Sequence, residues 1–386
     1  MILITGGLGF IGTHTTRAVL DLGAPALPAS RHPKSSSLIP SGVGTAVVDC
    51  TDPQSLSALG RQHRITTIVH LAAAPLGGTP LDDLQQNTAA TFAILRAAAE
   101  WDVQRVVLAS TIGVYAGVEE YPWREEAPLP LASPHPIPAS KKTAEILALA
   151  SGLDVVVARI GGIWGPQGRT ASPFIAAPAL IHAAAAQRER RGDEAQHQGD
   201  KGDQLRTQPR GEGAQDQTDE QAQDRAEARG AELQDHGKEQ RDEGLRDHAQ
   251  SPREEAHDHT GRDGGQGGGG RRGAGGPGTV YAGDGVDILY ARDCGAALAL
   301  LATAPALRHR VYNVGSGRAT TNAEVAAAIA AVYPEAEPAL ADGASSPGPL
   351  PYLDTDRLAA EGWTPQWPLE RAVADYLAWL AAGHER

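Results

Sequence analysis

The segment Thr5-Gly6-Gly7-Leu8-Gly9-Phe10-Ile11-Gly12 carries the residue types and spacing that most directly imply chemistry. It follows an apolar run, Met1 to Ile4, and enters a helical pattern from Phe10 to Leu22 that Gly23 ends. In that context Gly6 permits a tight turn and Gly9 lets the backbone approach a pyrophosphate. Gly12 lets the helix pack closely on the strand, and the helix N-terminus faces the phosphate charge. A strand, a glycine turn and a helix in this order form the setting of a dinucleotide site.

Such a turn works only if strands and helices hold it, and the chain alternates accordingly. Strands are expected at Ala24 to Ser30, Thr45 to Asp49, Thr66 to Ala72, Arg105 to Ser110 and Val155 to Arg159. Helices are expected at Asp52 to Gln62, Leu81 to Trp101 and Pro138 to Ala150. Short apolar strands alternating with helices imply a parallel sheet covered on both faces, the doubly wound α/β class. Further on, Val280 to Leu289, a helix at Asp293 to Thr303, Val311 to Gly315 and a helix at Asn322 to Tyr333 continue a mixed pattern. A smaller carboxyl-side lobe is expected there, with a small-molecule crevice beside it.

Composition divides the 386 residues into three. Residues 1–186 and 279–386 are rich in Ala, Val, Leu and Ile. The stretch 187–278 has no aromatic residue, Ile, Val or Met, and its sizeable apolar side chains are Leu205, Leu233 and Leu245. It buries too little apolar surface to offset the entropy of ordering, so a disordered insert is expected. His257-Asp258-His259 within it lacks a scaffold for a metal, and no metal site is expected. The net charge of -13 and the lack of a basic stripe exclude a nucleic-acid surface. Cys50 and Cys294 are too few for a disulfide framework, no apolar run is long enough to cross a bilayer, and Met1 to Ile4 lacks the basic flank of a signal peptide. These features fit a cytoplasmic protein with a small-molecule substrate, as a monomer or a homodimer.

The glycine turn has the TGGxGFIG form, and other segments fall in register with it. They include Asp49-Cys50 at the third strand end, His70-Leu71-Ala72-Ala73, Asn87, Ser110-Thr111 with Val114-Tyr115, and Ser140-Lys141. Together these resemble the NAD-dependent epimerase/dehydratase family of extended short-chain dehydrogenases, over nearly all the chain outside the insert. The resemblance implies cofactor contacts from Gly6, Gly9, Phe10, Ile11, Gly12, Asp49, Cys50, Leu71, Ala72, Ala73, Asn87 and Lys141. By the same register Thr111 is the hydroxyl that binds a substrate carbonyl or alcohol. Lys141 holds the nicotinamide ribose, and Tyr115 is structural. The second strand ends in Ser30-Arg31-His32 with no carboxylate, so Arg31 suits a ribose 2'-phosphate and favours NADP over NAD.

The pattern breaks at three places. Ile137 stands four residues before Lys141, where the family has its proton-transferring tyrosine, and it has no ionisable group. His135, Tyr115 and Tyr121 are the nearest titratable substitutes, and none has the helical spacing. Gly162 replaces an asparagine of the RxxNxxGP loop, and Val286 precedes Asp287 where the family has a diphosphate-clamping arginine. Two functions follow: an epimerase/dehydratase-like oxidoreductase acting on a small hydroxyl or keto substrate, or a cofactor-binding protein with little catalysis, serving as a redox sensor or interaction module.

Overall fold

Residues 2–5, all buried, form the first strand of the computed structural model, which describes residues 1–74, 78–133, 135–206 and 278–384, with 192–206 as backbone only. The strands in chain order are β1 (Ile2–Thr5), β2 (Ala26–Ser30), β3 (Ala46–Val47), β4 (Thr67–His70), β5 (Arg105–Thr111), β6 (Val155–Ile160), β7 (Gly162–Trp164), β8 (Gly285–Val286), β9 (Ile288–Tyr290), β10 (Val311–Val314) and β11 (Thr320–Thr321). The helices are α1 (Phe10–Asp21), α2 (Pro53–Gln62), α3 (Pro80–Glu100), α4 (Pro136–Ala150), α5 (Ala177–Arg206), α6 (Ala291–Thr303), α7 (Asn322–Val332), α8 (Asp356–Ala360) and α9 (Leu369–Ala381).

Seven of these strands make one parallel sheet in the order β10-β6-β5-β4-β1-β2-β3. Alternation along each strand feeds two cores. Leu3, Ile68, Val106, Leu108 and Val155 pack against α2, α3 and α4, whereas Ile4, Val69, Val107 and Val156 pack against Val19 of α1 and Leu298 of α6. The expected doubly wound class is therefore the observed one. The order in which strands are added reverses between β1 and β4, and a crevice opens outside their carboxyl ends. A third core joins Leu180 and Ile181 of α5, Val325 and Ile329 of α7, and Val373 and Tyr376 of α9. This core builds the carboxyl-side lobe, although β10 and α6 return to the main sheet and its cover.

The segment Val280 to Leu289 forms two short strands. It breaks at Asp287 into β8, antiparallel to β11, and β9, parallel to β7. The cause is the fully buried Asp287 carboxylate, which accepts hydrogen bonds from Ser316 N (2.7 Å), Ser316 Oγ (2.8 Å), Gly317 N (3.2 Å) and Leu353 N (3.2 Å). Burial raises its pKa against those four donors.

Helix α5 continues past the composition boundary at Gln187 to Arg206. Gln187 exchanges two hydrogen bonds with the backbone of Glu337, and Arg191 pairs with Glu335 at 3.2 Å. Residues 207–277, the remainder of the stretch expected to be disordered apart from Gly278, lie outside the described residues, as does His257-Asp258-His259. By packing, the described residues up to 194 and from 278 onwards make one compact unit. Excising 195–269 and closing the gap with a short Gly/Ser linker is expected to shift Tm by less than about 2 °C, since that sequence offers little apolar surface. A thermal melt of the shortened chain checks this, and a large drop would show that the segment supports the fold.

Candidate functional site

A cleft of about 810 Å³ lies over the carboxyl ends of β1, β4 and β5. Its floor is the glycine turn. Gly6 has φ +70°, and a Cβ there would sit 3.0 Å from Ala72 N, so the turn and the segment after β4 are in contact. At Gly12 a Cβ would lie 2.0 Å from Gly6 O, which only glycine avoids. At Gly9 a Cβ would meet only Gly6 O, at 3.1 Å. Gly9 is also the N-cap of α1 and gives no side-chain cap, and the first turn holds no acidic residue. The leading N–H groups are thus left for an anion.

Of the residues singled out in the sequence, Gly6, Gly9, Phe10, Ile11, Gly12, Arg31, Cys50, Leu71, Ala72, Ala73, Asn87, Thr111 and Lys141 line this one cleft. Asp49 does not. Its Oδ1 accepts from Thr51 N (2.8 Å) and Thr51 Oγ1 (2.7 Å), which lowers its pKa, and Oδ2 lies 3.9 Å from Arg31 Nε. Asn87 ties the cleft wall together, its Oδ1 accepting from Ala74 N at 2.8 Å. His70 shares a 2.7 Å hydrogen bond with Thr5 Oγ1, and burial followed by the Lys141 charge lowers its pKa to about 3, so it is neutral.

Thr111 ends β5 and accepts from Gly113 N at 3.2 Å, which starts a 3₁₀ turn over Ile112–Tyr115. Lys141, half-buried on α4, donates to Ala109 O at 2.8 Å. Burial lowers its pKa to about 8 against the opposing pull of Glu145, so it is mostly charged at neutral pH. Ile137 sits one turn earlier, at the helix start, and lines neither this cleft nor the cavity beside it. His135 is exposed and caps α4, its Nδ1 accepting from Ile137 N at 3.3 Å. Tyr115 is fully buried. Its hydroxyl donates to Asn313 Oδ1 (2.8 Å) and accepts from Arg159 (2.9 Å), and burial pushes its pKa to about 12.

Sequence inspection missed two cations. Lys34, in the loop after β2, and Arg169, in the turn after β7, line the cleft with Arg31 and His32. The contact that brings the second into place is between Gly168 and Phe10, where a Cβ at Gly168 would lie 3.1 Å from the ring. Nothing in the local pattern of either residue marks it. Among the described residues no group of three His, Cys, Asp or Glu side chains comes together, and no helix is long and apolar enough to cross a membrane.

Behind the cleft Arg159 of β6 makes a bidentate pair with Glu145 of α4, at 2.7 Å for Nη2 to Oε2. Ser110 Oγ, on the cleft wall, donates to the same carboxylate. Asn313 of β10 extends the network to Glu125 Oε1, the Trp123 carbonyl and the Asp354 carbonyl, at 2.8 to 2.9 Å.

The model of the NAD dependent epimerase/dehydratase family matches residues 2–206. Among curated proteins, UDP-glucose 4-epimerase of Azospirillum brasilense is 33% identical over 199 residues, covering 47% of this chain and 55% of that protein. dTDP-glucose 4,6-dehydratase of Streptomyces niveus is 32% identical over 186 residues, 43% of this chain and 54% of that protein. The chain thus spans about half the length of the curated relatives it matches. In fold it is similar to UDP-glucose 4-epimerase of Thermus thermophilus in complex with NAD, with a TM-score of 0.65, 19% identity and 99% of both chains covered. The Thermotoga maritima UDP-glucose 4-epimerase with UDP-glucose gives a TM-score of 0.63 at 16% identity, covering 100% of this chain and 99% of that one.

The Arg159 and Glu145 side chains are 6% and 5% exposed, so removing one strands a buried charge. Glu145→Ala is expected to cost about 3–5 kcal/mol in urea unfolding, and Glu145→Ala with Arg159→Met distinctly less. Equal losses in the two variants would place the cost in packing rather than in the unpaired guanidinium.

Proposed function

Because the chain belongs to the NAD dependent epimerase/dehydratase family, we propose that it binds a nicotinamide dinucleotide in the cleft and acts as an epimerase/dehydratase-like oxidoreductase on a small hydroxyl or keto substrate. The observation that supports this best is the convergence of the glycine turn, Thr111 and Lys141 on one cleft. When bound, the dinucleotide supplies hydride transfer. The chain supplies the rest. Gly6, Gly9, Gly12 and the start of α1 cradle the pyrophosphate, with Phe10 and Ile11 beside it. Leu71, Ala72, Ala73 and Asn87 form one wall, Cys50 faces the adenine end with Asp49 next to it outside the lining, and Lys141 holds the nicotinamide ribose. The Thr111 hydroxyl orients the substrate oxygen. A cytoplasmic setting fits this chemistry.

Arg31, just after β2, lines the cleft together with Lys34 and Arg169, a set of cations suited to a ribose 2'-phosphate, so NADP is the favoured cofactor. Arg31→Ala is then expected to weaken NADPH by about tenfold or more and NADH much less, as measured by calorimetry. Equal losses for the two would reject the 2'-phosphate role.

Ile137 favours a second reading, a cofactor-binding protein with little catalysis, because no proton-transferring side chain stands one turn before Lys141. Ile137→Tyr tests the two together. It adds a phenol on the helical spacing of Lys141, whose charge is present below about pH 8 and lowers a nearby phenol pKa. NADPH-dependent reduction across a carbonyl panel is expected to rise by about two orders of magnitude. The gain should vanish in Ile137→Tyr with Lys141→Ala. Normal NADPH binding with no gain on any substrate would make the non-catalytic reading the better one.

A further inference from the structure

A second cavity, of about 660 Å³, adjoins the reaction end of the cleft. Gly161 lines the cleft, and a Cβ on the next residue, Gly162, would lie 2.8 Å from Ile175 and 3.3 Å from Ile288, both of which line the second cavity. On the other side, His135 at the start of α4 meets Phe174 of the cavity wall edge-on at 5.8 Å, while Lys141 of the same helix lines the cleft. The cavity therefore lies one residue step from the cleft wall at Gly161 and beside the start of the helix that carries Lys141.

Its chemistry is the reverse of the cleft's. The cleft carries Arg31, Lys34, Lys141 and Arg169. Among the described residues lining the cavity there is no Lys, Arg or His, and Asp284 is the one formally charged side chain. The polar lining is otherwise neutral, with hydroxyls from Tyr121, Ser172, Thr320, Ser345 and Ser346 and the amide of Asn322, set among prolines and aliphatic side chains. The Asp284 carboxylate is held in place by Ser345 N, which donates to Oδ1 at 2.7 Å.

A diphosphate entering this space would give up its hydration beside a fixed carboxylate and find no cation among the described lining residues in return. An uncharged polyhydroxyl compound would exchange water for hydroxyl and amide partners at little net cost. We propose that this cavity seats an uncharged, hydroxyl-bearing substrate, of the class of simple glycosides and polyols, and excludes nucleoside diphosphate sugars. The assignment of the cavity as the substrate seat rests on reading the neighbouring cleft as the cofactor site.

The test uses the full chain with the cleft filled by NADP⁺, titrated with UDP, UDP-glucose and a panel of neutral methyl glycosides and polyols, read by calorimetry and ligand-observed NMR. Wild type is expected to bind at least one neutral compound saturably and UDP only weakly, and Ala179→Phe, which fills the cavity, to abolish the neutral binding. Val286→Arg, which adds a cation to the lining, and Asp284→Asn, which removes the carboxylate, are each expected to strengthen UDP by about tenfold. Micromolar UDP binding by wild type that neither variant improves overturns the proposal, as does a panel with no neutral binder. NADPH fluorescence, read on the same proteins before NADP⁺ is added, reports the cleft separately. Exclusion of UDP without NADPH binding would sink the cofactor reading while supporting the neutral character of the cavity.

Discussion

The buried pair of Arg159 and Glu145 is the interaction on which the arrangement of the site depends. It joins the strand at the centre of one half of the sheet to the helix that carries Lys141, and Ser110 ties the cleft wall to the same carboxylate. Through Tyr115 and Asn313 the network continues to the edge strand and to Trp123, Glu125 and Asp354. Side chains with no partner here would be charged and dry, so each end enforces the position of the other. The position of α4 over β5, and hence of Lys141 over Ala109, is a consequence.

Around that frame the molecule divides its charge by compartment. Cations line the cleft that the glycine turn also lines, and the neighbouring cavity keeps hydroxyls and a carboxylate among its described lining residues.

Much of this was legible in the residues. The glycine turn could be read because glycines at fixed spacing answer to separate steric demands: Gly6 takes φ +70°, and a Cβ at Gly12 would lie 2.0 Å from Gly6 O. The sheet could be read because its strands are apolar on both faces and its helices amphipathic. The pairing of Arg159 with Glu145 could not, since its only local trace is a charged residue inside the otherwise apolar strand Val155–Ile160. Lys34 and Arg169 were equally invisible, because they line one cleft only in the folded chain, where the turn following β7 meets Phe10. The break at Asp287 was missed for a related reason: its four donors come from residues 29 to 66 positions away.

The edge strand β10 has a consequence for how the chain reaches this state. Its partner β6 ends at Ile160, and about 150 residues are synthesised before Val311 can add to that edge. Closing so long a loop costs under about 1 kcal/mol more than closing the same connection without the low-complexity stretch, because the entropy grows only logarithmically with length. Thermodynamics therefore tolerates the insertion, whereas the order of events does not ignore it. The first six strands emerge from the ribosome with β6 as an open edge, and Asn313 is not yet present to complete the bonds around Tyr115 and Trp123. The time spent translating the insert is time during which that edge can meet another chain.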